Sequence, residues 1–269
     1  MELLTTHPLV FFAFSFVLMS LAAWIGASVL RRYRPLDDEL REDFSVVKSA
    51  TLTLLALVIG FSLSMAVGRY DQRKNYEEEE ANAIGTEFIR ADLLPGPNAA
   101  NVRSLLRNYV DQRILFYKAR NEHELVEIDA TTTRLETELW AAVKTAALAQ
   151  PNPVTALAVA GMNDVINTQG YTQAAWWNRI PRAAWSLMIM IGMFCNLLVG
   201  YGSRSARPEP RLLVIMPLVV SLSFMLIADI DSPRYGIIRV APQNLISVAL
   251  SIPSSDATLN DRGKLGELK

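Results

Sequence analysis

The 269-residue chain is 51% hydrophobic and has a mean hydropathy of +0.20, slightly more apolar than an ordinary water-soluble domain. Its formal net charge is -1, and its Lys and Arg are interspersed with Asp and Glu, which excludes a basic nucleic-acid-binding face. Cys195 stands alone in an apolar run and the two histidines, His7 and His123, are far apart; a disulfide framework, a metal centre and a resident cofactor are therefore not expected.

The apolar residues are concentrated in four blocks. The first, Pro8 to Leu30, carries no charge and ends at Arg31, Arg32 and Arg34; at 1.5 Å per residue it is long enough to cross a hydrocarbon core. The competing reading, a cleaved signal peptide, calls for a basic segment before the apolar run, and Met1 to His7 has no Lys or Arg. The second block, Ser49 to Gly68, follows a loop containing Pro35 and ends at Arg69.

Beyond Gly68 no proline occurs until Pro95, and the stretch is rich in Glu, Ala, Arg and Leu. The second span is thus expected to continue as a long helical stalk that breaks at Leu94-Pro95-Gly96-Pro97. Apolar residues at helical spacing predict further helices over Asn98 to Asn121, Leu125 to Ala149 and Val154 to about Ala175, with Pro151 and Pro153 between the last two. Within the stalk, Glu77, Glu78, Glu79 and Glu80 read as a solvated face; if several copies surrounded an axis, one of them per copy could contribute to an acidic ring.

The third block is Ala183 to Tyr201, preceded by Trp176, Trp177 and Trp185 at an expected aromatic boundary. The fourth, Leu212 to about Ala228, contains Pro217, which predicts a kink rather than a break. Asp229 then sits at the membrane edge and needs a partner, for which Arg69 and Arg234 are available, with Asp231 nearby. These groups are read as salt-bridge partners, with ion handling the alternative. Pro233 and Gly236 make a turn, Ile237, Ile238 and Val240 can fold back on the stalk, and the polar tail after Ile252 has little to bury.

Blocks of this length satisfy their backbone polar groups in lipid as helices. The expected fold is an all-α membrane protein of four transmembrane helices with a helical bundle inserted between the second and third. The segments are 1–68, 69–182, 183–228 and 229–269. Eight Lys and Arg flank one set of span ends and seven the other, a lean toward placing the inserted domain outside the cell.

Two stretches carry a family resemblance: Leu55 to Leu94, with its E-A-N-x-I-G-T element from Glu80 to Thr86, and Asp229 to Leu245, with D-x-D-x-P-x-x-G-x-I-x-V over Asp229 to Val240. They resemble the signature regions of a bacterial bestrophin-like membrane family of unknown function, and the layout is distantly similar to that of bestrophin anion channels. The resemblance implies a homo-oligomer, a pentamer in the channels, in the bacterial inner membrane. It also implies small inorganic ions as partners beside the lipid bilayer, and a pore lined by the second span. A hydrophobic neck around a Gly-Phe pair falls by resemblance on Gly60 and Phe61, with Leu57 and Thr53 one and two turns earlier. The channels keep their helical domain in the cytosol, opposite to the charge count.

Departures accompany the likeness. Met1 to His7 is too short, and without Lys or Arg, for the channels' basic N-terminal segment, and Asp229 and Asp231 match only part of their acidic calcium clasp, too few oxygens for a calcium cage. On the second span, Gly60, Ser64 and Gly68 form a small-residue row suited to helix packing, beside the bulkier row of Thr53, Leu57, Phe61 and Met65. The latter faces a lumen, lipid or another helix. Phosphate-binding loops, H-E-x-x-H and G-x-S-x-G are absent from the sequence, so no enzyme is expected. The expectation is an ion channel, the alternative a non-conducting membrane scaffold or sensor whose helical domain binds a partner.

Overall fold

The computed structural model describes residues 7–33, 36–203 and 210–252. The segment Met1 to Thr6, Arg34, Pro35, Arg204, Arg207, the Arg211 side chain and the tail beyond Ile252 lie outside the described residues.

Every regular element among the described residues is helical. The helices are α1 (Pro8–Ile25), α2 (Asp38–Arg90), α3 (Gly96–Lys118), α4 (Glu122–Ala149), α5 (Pro153–Trp177), α6 (Arg182–Tyr201), α7 (Pro210–Asp231) and α8 (Gln243–Ser251). α1 runs on through a π-helical turn at Gly26–Leu30 into Arg31–Tyr33. Among the described residues, four helical stretches are long and apolar enough to cross a membrane: Pro8–Tyr33, Glu39–Leu93, Pro153–Tyr201 and Leu213–Asp231. α7 passes through Pro217 without a break. α2 is one helix of 53 residues that continues past Gly68 to Arg90, and it begins earlier than the apolar block because Asp38 to Lys48 is also helical.

Local chemistry accounts for the helix ends. Before Pro95, Leu94 is forced into an extended conformation with ψ 156°, and α3 starts at once behind it. The Asn121 side chain accepts the His123 amide at 2.8 Å to start α4. Asn152 Oδ1 accepts the amides of Val154 and Thr155 at 2.8 and 2.9 Å to start α5.

The chain divides into two compact units, Met1–Tyr70 with Asn178–Arg239, and Asp71–Trp177 with Val240–Lys269. In the first, α1 packs on α6 and α7 around Phe11, Met19, Trp185, Met188 and Phe224, with Leu55 and Ala66 of α2 joining the same core. Backbones approach closely at two glycines: a Cβ on Gly200 would overlap the Ala23 carbonyl oxygen, and one on Gly26 the Leu197 carbonyl oxygen. Small residues at such crossings permit the dispersion contacts that hold helices together in lipid.

In the second unit α3, α4 and α5 pack in succession through three-residue connections. α2 buries Arg73, Glu77, Glu80, Ile84 and Glu87, and the turn directly behind it Ala91, alternating steps of four and three that define a heptad seam. α3 does the same with Ala99, Val102, Leu106, Tyr109, Arg113 and Phe116. The seams include charged residues, so this core is sealed partly by ion pairs and hydrogen bonds.

The indoles depart from the expected boundary. Trp176 is buried in the second unit against Phe116 and Tyr117, with ring centroids 4.9 and 5.3 Å away, and Trp185 is buried edge-on against Phe11 at 5.0 Å. Only Trp177 of the three is exposed. Large aromatic area is better used in a core when a matching ring is available.

Candidate functional site

Three groups of residues singled out above can be located. On α2, the span's own packing uses Leu55, Ser62, whose hydroxyl donates to Met188 Sδ at 3.0 Å, and Ala66. Thr53, Leu57 and Phe61 fall in line on the exposed side, with Phe61 70% and Leu57 53% accessible. The Thr53 hydroxyl donates to the Ser49 carbonyl at 3.0 Å, so its polar group is satisfied within the helix and the stripe is effectively apolar.

Gly60, Ser64 and Gly68 are exposed as well, and a Cβ on Gly60 or Gly68 would meet nothing within 4 Å. Within one chain this row does not pack α2 on the other spans; the close, glycine-mediated approaches are between α1 with its π-helical turn and α6, at Gly26 and Gly200.

The turn after α7 is built around two carboxylates. Asp231 pairs with Arg69 Nη1 at 3.3 Å and accepts the Ile180 amide on both oxygens, at 3.2 and 3.1 Å. Asp229 Oδ1 accepts the Ile237 amide at 2.7 Å and Oδ2 the Ile238 amide at 2.8 Å. A side chain at Gly236 would overlap the Asp229 carbonyl oxygen, so the turn can close only over glycine. Sequence reasoning looked for a cation beside Asp229 and missed these peptide donors; the D-x-D-x-P-x-x-G spacing was the available signal. Replacing Asp229 by Asn removes one of the two acceptors and the charge. Amide exchange at Ile237 and Ile238, read by mass spectrometry, is expected to quicken about 10- to 100-fold, corresponding to roughly 1.5–3 kcal/mol for charge-assisted hydrogen bonds.

The glutamate run divides. Glu78 and Glu79 are exposed, whereas Glu77 and Glu80 are fully buried and so cannot serve in an acidic ring. Glu77 accepts the Leu245 amide at 3.0 Å and Asn244 Nδ2 at 2.6 Å, placing a negative charge at the start of α8 where helix amides need one. Glu80 receives Arg113 Nε and the Thr172 hydroxyl, the latter at 3.0 Å. Arg113 lies over the Phe116 ring, 4.4 Å from its centroid. Burial opposes the charge on Arg113, but the Glu80 carboxylate, joined by Tyr109 and Tyr117, outweighs it and holds its pKa above the ordinary value. Burial, with the same carboxylate adding to it, pushes the Tyr117 and Tyr109 phenols up. Tyr109 in turn donates to Glu136 at 3.1 Å, and burial raises the Glu136 carboxyl.

Comparison with known proteins agrees with this layout. The Bestrophin-like domain family model matches residues 13–245. The chain belongs to the bestrophin-like family. The structure is similar to crystal structures of a bacterial bestrophin homologue from Klebsiella pneumoniae. One substituted form gives a TM-score of 0.64 at 14% identity, covering 90% of this chain and 97% of that one. Another substituted form gives 0.61 at 15%, covering 88% and 98%. A further structure of the homologue gives 0.61 at 14%, covering 88% and 98%. At such identities the likeness is one of fold. No curated protein matches. This bestrophin-like membrane protein therefore carries all three residue groups within the matched domain. Arg113 and Glu87, which sequence reasoning passed over, are part of it too. Their signal was a charged residue at a seam position: Arg113 among the apolar residues of α3, and Glu87 between Ile84 and Ala91.

Proposed function

We propose that this bestrophin-like protein is an oligomeric ion channel of the bacterial inner membrane, anion-conducting by resemblance. Its pore would be lined by α2, with Thr53, Leu57 and Phe61 forming an apolar constriction that closes by dewetting. The observation that carries the reading is the exposed stripe itself. It is free of charge, runs along the span that has the smallest buried share of the four, and lies on the side away from the chain's own Leu55 and Ala66 contacts.

One chain with four spans has too few helices to enclose a pore, so the reading requires several copies around an axis, five by resemblance. The open space beside Gly60 and Gly68 would admit a neighbouring helix, and exposed Glu78 and Glu79 are the ring candidates left. In planar bilayers the pure protein is expected to pass small inorganic ions, and Phe61→Ala to raise conductance or shift gating. Absence of current under every ionic condition would overturn the reading.

A non-conducting scaffold is the second reading. It draws on an apolar groove of about 500 Å³ between α4 and α5, lined by Trp140, Ala147, Pro151, Thr155 and Val159. Native mass spectrometry in detergent separates the two: a closed ring supports the channel, a monomer the scaffold.

A further inference from the structure

Glu87 lies on the buried seam of α2 and has no solvent exposure. Neither of its carboxyl oxygens has a hydrogen-bond partner. The group is pressed against the backbone of α5 at Gly161, where a Cβ would overlap Glu87 Oε2 and come within 2.5 Å of Arg90 Nη1. The charges acting on it are Arg90 from its own helix and Asp164 from α5, and those two lie 4.0 Å apart, Nη1 to Oδ2. The α3 cations Arg103 and Arg107 are engaged over the Phe88 ring, each 5.5 Å from its centroid, and Arg103 also pairs with Asp92.

An ionised carboxylate without a donor in such a place is prohibitively unfavourable, so the group resides there as the neutral acid. We propose that Glu87 is a proton-operated latch between α2 and α5. With its proton the carboxyl is accommodated against Gly161 and the helices stay closed; without it the carboxylate draws in water and α5 separates locally from α2. The latch does not depend on whether the protein conducts ions.

Burial, partly countered by Arg90 and reinforced by Asp164, lifts the carboxyl from 4.5 to about 8 in the closed form, while the open form titrates in the ordinary carboxylate range. The direction follows. Below pH 4.5 both forms hold the proton and closing is at its strongest. Between 4.5 and about 8 only the closed form holds it, so closing weakens by about tenfold per pH unit. Above about 8 both forms are ionised and the response levels off.

Hydrogen exchange by mass spectrometry on the full chain in micelles, from about pH 5 to about pH 9 and corrected for intrinsic rates, reads this directly. Protection of the α5 amides around Gly161 is expected to fall about tenfold per pH unit and then level off. In Glu87→Gln, where a neutral amide takes the same space, protection is expected to stay at the acidic level throughout. Gly161→Ala displaces the flexible carboxyl tip and is expected to move the midpoint down toward the ordinary range. Flat protection in the wild type, or an unchanged pH response in Glu87→Gln, would overturn the latch. Should Glu87→Gln not fold, infrared spectroscopy of Glu136→Gln, which silences the other raised carboxyl, decides it. A protonated carboxyl band at neutral pH that disappears at alkaline pH supports the proposal, and its absence overturns it.

Discussion

Replacing Glu80 with alanine lowers the stability of the second unit by about 3–5 kcal/mol, the usual consequence of stripping one partner from a buried ion pair. Both side chains are fully inaccessible, so Arg113 would be left charged and dry. A guanidinium keeps its proton in a protein whatever its surroundings, so it does not escape by becoming neutral. Thr172 and Tyr117, which also point hydroxyls at Glu80, would lose their acceptor at the same time. Glu80→Gln keeps the shape and an acceptor, and is expected to cost less.

The informative variant is the double replacement of Glu80 and Arg113 by leucine. Removing both charges also removes the cost of desolvating them, so the pair is expected to be milder than Glu80→Ala alone. Thermal unfolding of the full chain in micelles, followed by near-ultraviolet circular dichroism from the Phe116, Tyr117 and Trp176 cluster, measures each. A loss below about 1 kcal/mol for Glu80→Ala would mean that the carboxylate does not sit against Arg113.

The second large effect is expected in the membrane-spanning unit. Gly200→Val places a branched side chain where the Ala23 carbonyl oxygen lies. The obstacle is backbone on a neighbouring helix, so no rotamer change relieves it and α1 and α6 must move apart. A loss of at least about 3 kcal/mol is expected, the upper end of overpacking costs, seen as a lower unfolding temperature in detergent. Gly170→Ala is the control: nothing lies within 4 Å of its Cβ, so it is expected to gain about 0.5–1 kcal/mol from helix propensity alone.

Neither the Glu80–Arg113 pair nor the Gly200 crossing is legible in the sequence, although much of their setting is. The four apolar stretches, the uninterrupted helix through Gly68 and the break before Pro95 were all legible there. The candidate site was only partly so. Thr53, Leu57 and Phe61 could be aligned from the 3.6-residue period, yet their side of the helix could not be assigned. Among the four consecutive glutamates, nothing local distinguishes Glu80, on the seam, from Glu79, in solvent.

The sequence alone determined where helices run and stop and which of them suit a membrane. Chain length, apolar content and proline position act within a turn or two of the residue concerned, so they can be read without knowing what the helix touches. Tertiary structure decided the rotational register: Glu77 and Glu80 inside, Gly26 and Gly200 at the crossings instead of Gly60 and Gly68, Asp229 on peptide amides, Trp176 and Trp185 in cores. Register is set by partners such as Arg113, Ala23 and Ile237, contributed by other helices or by the turn that follows. A charged seam has the same period as a solvated face, and only the presence of those partners tells one from the other.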